Sequence, residues 1–169
     1  MNKSDILLRE LSAIARAPYR ATSGEVLAAP SHEILRFGGR TLLLQSPAHA
    51  VVGWRHLGLR FAALLPANEL ADLQDIESRV RELRDHGCCE IATVGPFAEE
   101  LHDMIDDVLL CGDLSDRAVS TTWHDDPVDA AYGFVHLAGG AARDVNLLAF
   151  VAPHSGLAAM LHGEIRKVA

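Results

Sequence analysis

The sequence predicts one α/β domain: a mostly parallel sheet with helices on both faces, a Rossmann-like three-layer arrangement, joined by an antiparallel hairpin from the N-terminal half. Three observations lead there. From residue 59 onward, short apolar runs alternate with amphipathic segments in the order β-α-β-α-β-α-β-α, and such alternation builds parallel sheets through right-handed crossovers. The runs RFAALL and VNLLAFVA are apolar almost throughout, as strands covered on both faces are. Residues 33–37 and 40–45 read as strands on either side of Gly38-Gly39, a two-residue turn that signals a hairpin. The chain of 169 residues, 49% of them apolar, suits a single domain over 1–169, with an irregular helix and hairpin part at 1–58 and β-α repeats at 59–169.

Each element has a local cause. Ser4 caps a helix that turns Leu7, Leu8, Leu11, Ile14 and Ala15 inward and stops before Pro18, and residues 19–31 follow as an ordered loop. The hairpin is expected to extend or flank the sheet. Residues 46–58 have no period and read as a loop with room for a short element. The apolar run 59–65 is closed by Pro66, and Asn68 offers an N-cap to a helix of about five turns carrying Leu70, Leu73, Ile76, Val80 and Leu83. Gly87 suits the position that ends that helix in a left-handed conformation. Cys88–Val94 is the next strand, stopped by Gly95-Pro96. Phe97, Leu101, Met104, Ile105 and Val108 then form one stripe of a helix whose opposite face is acidic. After a polar link, residues 118–123 read as a strand. Asp126-Pro127 supplies the N-cap and first residue of a helix whose apolar face is Val128, Ala131, Tyr132 and Val135, ended by Gly139-Gly140. Residues 145–152 make the last strand. Pro153-His154-Ser155-Gly156 leads into a final helix with Leu157, Met160, Leu161, Ile165 and Val168 on one side.

Charge is unevenly spread. Residues 1–84 carry 11 Lys/Arg against 9 Asp/Glu, whereas residues 85–169 carry 4 against 14, which together give the net charge of −8. Between Asp85 and Asp116 there are nine carboxylates and no Lys or Arg. Phosphate backbones are repelled by such a surface, so nucleic-acid binding is excluded first. No run approaches the roughly 20 apolar residues of a membrane-spanning helix, and the N-terminal pattern, with Glu10 inside it, is not a secretory signal. These features predict a cytoplasmic protein without membrane contact. Cys88, Cys89 and Cys111 show no Cys-x-x-Cys spacing and read as buried small hydrophobes.

In an open parallel sheet, ligands bind beyond the carboxyl ends of the strands, near the point where strand order reverses. Two predicted strand exits carry histidine, so Thr121, Thr122, Trp123, His124 and His154 are the expected ligand-contacting residues. A divalent metal could take His124, His154 and a carboxylate from Asp125 or Asp126. Alternatively, Ser155 could be a nucleophile with His124 as base and Asp125 orienting it. The same edge could also hold a nucleotide or small anion without reaction. Each residue also has a structural explanation: Asp126 as N-cap, His154 or Ser155 as entry to the last helix, Trp123 as a core or crevice-wall residue. No nucleophile elbow, dinucleotide fingerprint or Walker loop occurs.

The strand end Thr121-Thr122-Trp123-His124 with Asp125 and Asp126, preceded by Gly87-Cys88 and Gly95, resembles a small family of uncharacterised bacterial domains over about residues 60–152. The resemblance implies a bacterial, cytoplasmic setting and carries no activity. With no specific catalytic motif and strong charge segregation, the sequence favours a non-enzymatic interaction or regulatory module that engages a basic protein surface. The alternative is a small hydrolase or metal-dependent enzyme around His124. No cofactor is predicted beyond that candidate divalent metal, and the apolar share of so small a chain also fits a homodimer.

Overall fold

Among the described residues six strands form one sheet, the central ones from apolar runs: β1 (His32–Phe37), β2 (Arg40–Gln45), β3 (Phe61–Pro66), β4 (Cys88–Val94), β5 (Ser120–His124) and β6 (Asn146–Ala149). Among the described residues four α-helices accompany them: α1 (Ile76–Asp85), α2 (Ala98–Leu110), α3 (Pro127–His136) and α4 (Gly156–Val168). The computed structural model describes residues 32–48, 51, 53–111, 118–140 and 145–168, so the helix and loop expected over residues 4–31 lie outside the described residues. The strand order is β1-β2-β6-β3-β4-β5, with β1 antiparallel to β2 and every other neighbouring pair parallel. This is the predicted α/β domain with its antiparallel hairpin.

Strand alternation divides the core in two. One set of strand residues, including Phe61, Ala63, Leu65, Ile91, Leu148 and Phe150, packs under α1 and α2 with Ile76, Val80, Leu83, Leu101 and Ile105. The other set, including Leu42, Leu44, Ala62, Leu64, Leu147 and Ala149, packs under α3 and α4 with Ala130, Phe134, Ala158 and Leu161. β3 is buried on both faces, which explains why its sequence shows no alternation. Among the described residues, no helix is long and apolar enough to cross a membrane.

Several expected elements take a different form. The five-turn helix after Asn68 is broken: Leu70–Leu73 is a 3-10 turn, and α1 starts only at Ile76. The Asp72 carboxylate accepts the main-chain N–H groups of Asn68 (2.8 Å) and Glu69 (3.1 Å), which closes a turn of its own. Asp75 then adopts a left-handed conformation (φ 57°) that redirects the chain. The inward face of α3 is Ala130, Ala131, Phe134 and Val135, leaving Val128 and Tyr132 about half exposed. Small residues at Ala130 and Ala131 allow that helix to approach the sheet closely, whereas the bulkier pair would hold it away. On α4, Ala158, Leu161 and Ile165 point inward, while Met160 and Val168 are partly exposed. β5 runs one residue further than expected, so His124 is a strand residue and not a loop residue.

Gly87 has φ 97°, and a Cβ there would collide with the Leu59 carbonyl oxygen. Gly87→Ala is therefore expected to cost at least about 2 kcal/mol in urea unfolding, from left-handed strain and the clash together. Glu164 on α4 is buried, accepts a hydrogen bond from Lys167 Nζ (2.6 Å) and pairs with His136 Nε2 of α3 (3.0 Å). Hydrogen bonds from Lys167 and then His136 hold its carboxyl below its ordinary value of 4.5, with burial opposing them. A depressed carboxyl stabilises the fold at pH above the unfolded value, and this contribution disappears as the pH falls below 4.5. The stability difference between wild type and Glu164→Gln should accordingly be largest at neutral pH and shrink on acidification through that window.

Candidate functional site

The sheet reverses direction once. From β3 the chain moves outward through β4 to β5, and then crosses back over β4 and β3 to insert β6 between β2 and β3. Right-handed crossovers that travel in opposite directions place their helices on opposite faces, so α1, after β3, lies on one face and α3, in the return crossover, on the other, where α4 packs beside it after β6. The carboxyl ends of β3 and β6 consequently diverge around a crevice of about 960 Å³. One wall comes from α1 and the turn before it, the other from Phe150, Val151 and the first residues of α4.

Arg79 lies on the inward stripe of α1, between Ile76 and Leu83. Its Cζ stands 4.6 Å from the centre of the Phe150 ring, a cation–π contact. Its Nη1 is shut off from solvent and has no hydrogen-bond partner among the described residues. An unsatisfied buried donor of this kind costs about 1–3 kcal/mol or more. Across the crevice, Ser155 caps α4 by accepting the Ala158 N–H on its Oγ (3.1 Å), and its carbonyl accepts the Ala159 N–H.

A second feature lies at the other end of the sheet. β5 pairs with β4 on one side and with no strand on the other among the described residues. The His124 carbonyl accepts the Gly95 N–H (3.1 Å). By alternation, the main-chain groups of Thr121 and Trp123 therefore face the open side. The side chains of Thr121 and Trp123 lie on the α2 face. Thr121 Oγ1 donates to Asp106 (2.7 Å), and Trp123 is 41% exposed. Along α2, Glu99, Glu100, Asp103 and Asp107 are exposed, and His102 contacts Asp103 (3.3 Å) and Asp106 (3.8 Å). His124 points to the α3 face, where Gly133 leaves room for its ring: a Cβ at that position would stand 3.4 Å from His124 Cε1.

The structure divides the residues singled out from the sequence into two groups. Thr121, Thr122, Trp123, His124 and Asp125 share the β5 edge, whereas His154 and Ser155 follow β6. β6 and β5 are separated by β3 and β4, three strand spacings or about 14 Å. A metal site uniting His124 with His154, or a triad uniting Ser155 with His124 and Asp125, is thus not assembled in this arrangement. Among the described residues, no three His, Cys, Asp or Glu side chains converge as a metal site would require. Asp126 is a helix N-cap, accepting the Val128 N–H at 2.7 Å. Of the cysteines, Cys88 is buried and its thiol is pushed far up by desolvation, so it is inert. Cys111 is exposed, contrary to the expectation of burial.

Sequence reasoning missed Arg79 and Phe150. A signal for the first was present: an arginine placed three residues after Ile76 and four before Leu83 sits on an apolar stripe, where a charge needs a reason. No curated protein matches the chain. A domain of unknown function, DUF7684, matches residues 42–158, from within β2 to the first turn of α4. That span contains the β5 edge, the Thr-Thr-Trp-His strand end and every described crevice-lining residue but Met160, and it extends beyond the resemblance over residues 60–152 on both sides. The chain belongs to this family of domains of unknown function, DUF7684.

Proposed function

We propose that the protein is a non-enzymatic interaction or regulatory module that docks a basic, extended segment of another protein along β5. The observation that carries this reading is the juxtaposition of an open strand edge with an acidic helix face. Outward main-chain groups of Thr121 and Trp123 can pair with an added strand. Trp123 offers an apolar anchor beside that edge. Glu99, Glu100, Asp103 and Asp107 on α2 lie on the same face as Trp123 and supply negative charge with no Lys or Arg in the segment from Asp85 to Asp116. A partner with alternating lysines would gain both main-chain pairing and charge complementarity, and like-charged or acidic strands would be rejected.

The alternative, a hydrolase or metal-dependent enzyme around His124, has the imidazole and Asp125 at the strand end in its favour. It needs further reactive groups within reach, and His154 and Ser155 stand three strands away.

The reading is tested with a fluorescent peptide of alternating Lys and Val, titrated with the protein at low and moderate salt. Saturable binding that weakens as salt rises is expected, with a further loss of about tenfold or more in Trp123→Ser and in the Glu99→Lys/Asp103→Lys double variant. Binding that is indifferent to both variants would overturn it, as would a preference for an acidic peptide of the same pattern.

A further inference from the structure

The crevice between β3 and β6 shares no residue with β5, and a docking role at the strand edge leaves it unexplained. Its volume of about 960 Å³ is at the upper end of the range in which small-molecule sites fall, roughly 300–1,000 Å³. It also occupies the place where open parallel sheets bind ligands, beyond the carboxyl ends of two strands whose connections part to opposite faces. Position and volume do not by themselves name a ligand. Arg79 does.

We propose that this crevice binds a small organic monocarboxylate with an apolar body, its carboxylate paired with the Arg79 guanidinium. The guanidinium rests on the Phe150 ring, and its Nη1, closed off from water, has no hydrogen-bond partner among the described residues. A planar fork of donors held flat on an aromatic ring matches the two oxygens of a carboxylate. The remaining lining explains the rest of the specificity. Among the described lining residues Arg79 is the one Lys or Arg, while Asp72, Asp75 and Glu82 are the acids, so a single carboxylate is favoured only at the guanidinium itself and a polyphosphate is repelled. Leu65, Phe150, Val151 and Met160 present an apolar wall against which a hydrocarbon or aromatic body can lie. The N-terminal end of α4 faces the same space and adds a favourable partial charge of the correct sign.

Calorimetric titration of the full chain with octanoate and with phenylacetate tests the assignment, using inorganic phosphate as the comparison anion. At least one carboxylate should bind saturably and more tightly than phosphate. Arg79→Met keeps the apolar stem and removes the unpaired charge, so the free variant should melt no lower than wild type while carboxylate affinity falls about tenfold or more. Ala71→Trp, at an exposed lining position in the Leu70–Leu73 turn, should narrow the crevice and weaken binding with the guanidinium intact. The assignment is overturned by saturable binding of neither carboxylate, by tighter binding of phosphate, or by affinities in Arg79→Met and Ala71→Trp equal to wild type.

Discussion

The insertion of β6 between β2 and β3 is the constraint on which the rest of the molecule depends. A chain that simply added strands outward would place all its helices on one face and leave the other to water. By crossing back over β4 and β3, the segment after β5 puts α3 and then α4 on the second face, and the sheet becomes a buried middle layer. The same reversal creates the crevice, since β3 and β6 are neighbours whose following helices leave in opposite directions. It also fixes which strand is left at the margin: β5 becomes the terminal strand on one side, and the β1-β2 hairpin closes the other.

Polar ties hold this reversal in register. Buried Arg40 at the start of β2 donates Nε to the Val145 carbonyl (2.7 Å) and Nη1 to the Val135 carbonyl (2.9 Å), joining β2, the entry to β6 and the last turn of α3. Carbonyls at a helix C-terminus lack intrahelical partners, so a guanidinium there satisfies groups that would otherwise be stranded. Asn146 works alongside it, accepting the Thr41 N–H (2.7 Å) and donating to the Leu57 carbonyl (3.0 Å), which locks β6 between the hairpin and the segment leading into β3. Glu90 accepts the Gly139 N–H (2.8 Å) and ties β4 to the end of α3. Arg79 contrasts with all three. It is half-buried against the Phe150 ring, and its Nη1 is closed off from water without a hydrogen-bond partner among the described residues; that difference separates a structural arginine from one held ready for a ligand.

Much of the fold was legible in the sequence because periodicity and turn chemistry are local. The hairpin at Gly38-Gly39, the strand Cys88–Val94, the Asp126-Pro127 helix start and the glycine after His86 all follow from neighbouring residues. The break at Asp75 was not legible, since the apolar spacing from Leu70 to Leu83 continues through it and only the Asp72 side-chain bonds reveal the separate turn. The inward faces of α3 and α4 were shifted for a related reason. Bulky Val128, Tyr132 and Met160 carry the strongest hydrophobic signal, yet close packing against the sheet selects the alanines. Strand order is a long-range property. Without it, His124 and His154 look like neighbours at one edge, and the crevice at β3 and β6 cannot be located.

Hydrogen exchange of the free protein, resolved to single amides, tests the strand order and its open edge most directly. The amides of Ala62, Leu64 and Leu148, in strands bonded on both sides and buried on both faces, should exchange only through global unfolding. The outward amides of Thr121 and Trp123 should exchange about a hundredfold faster or more. Protection of Thr121 and Trp123 equal to that of β3 would mean that another strand covers β5, and would contradict both the edge and the docking surface built on it.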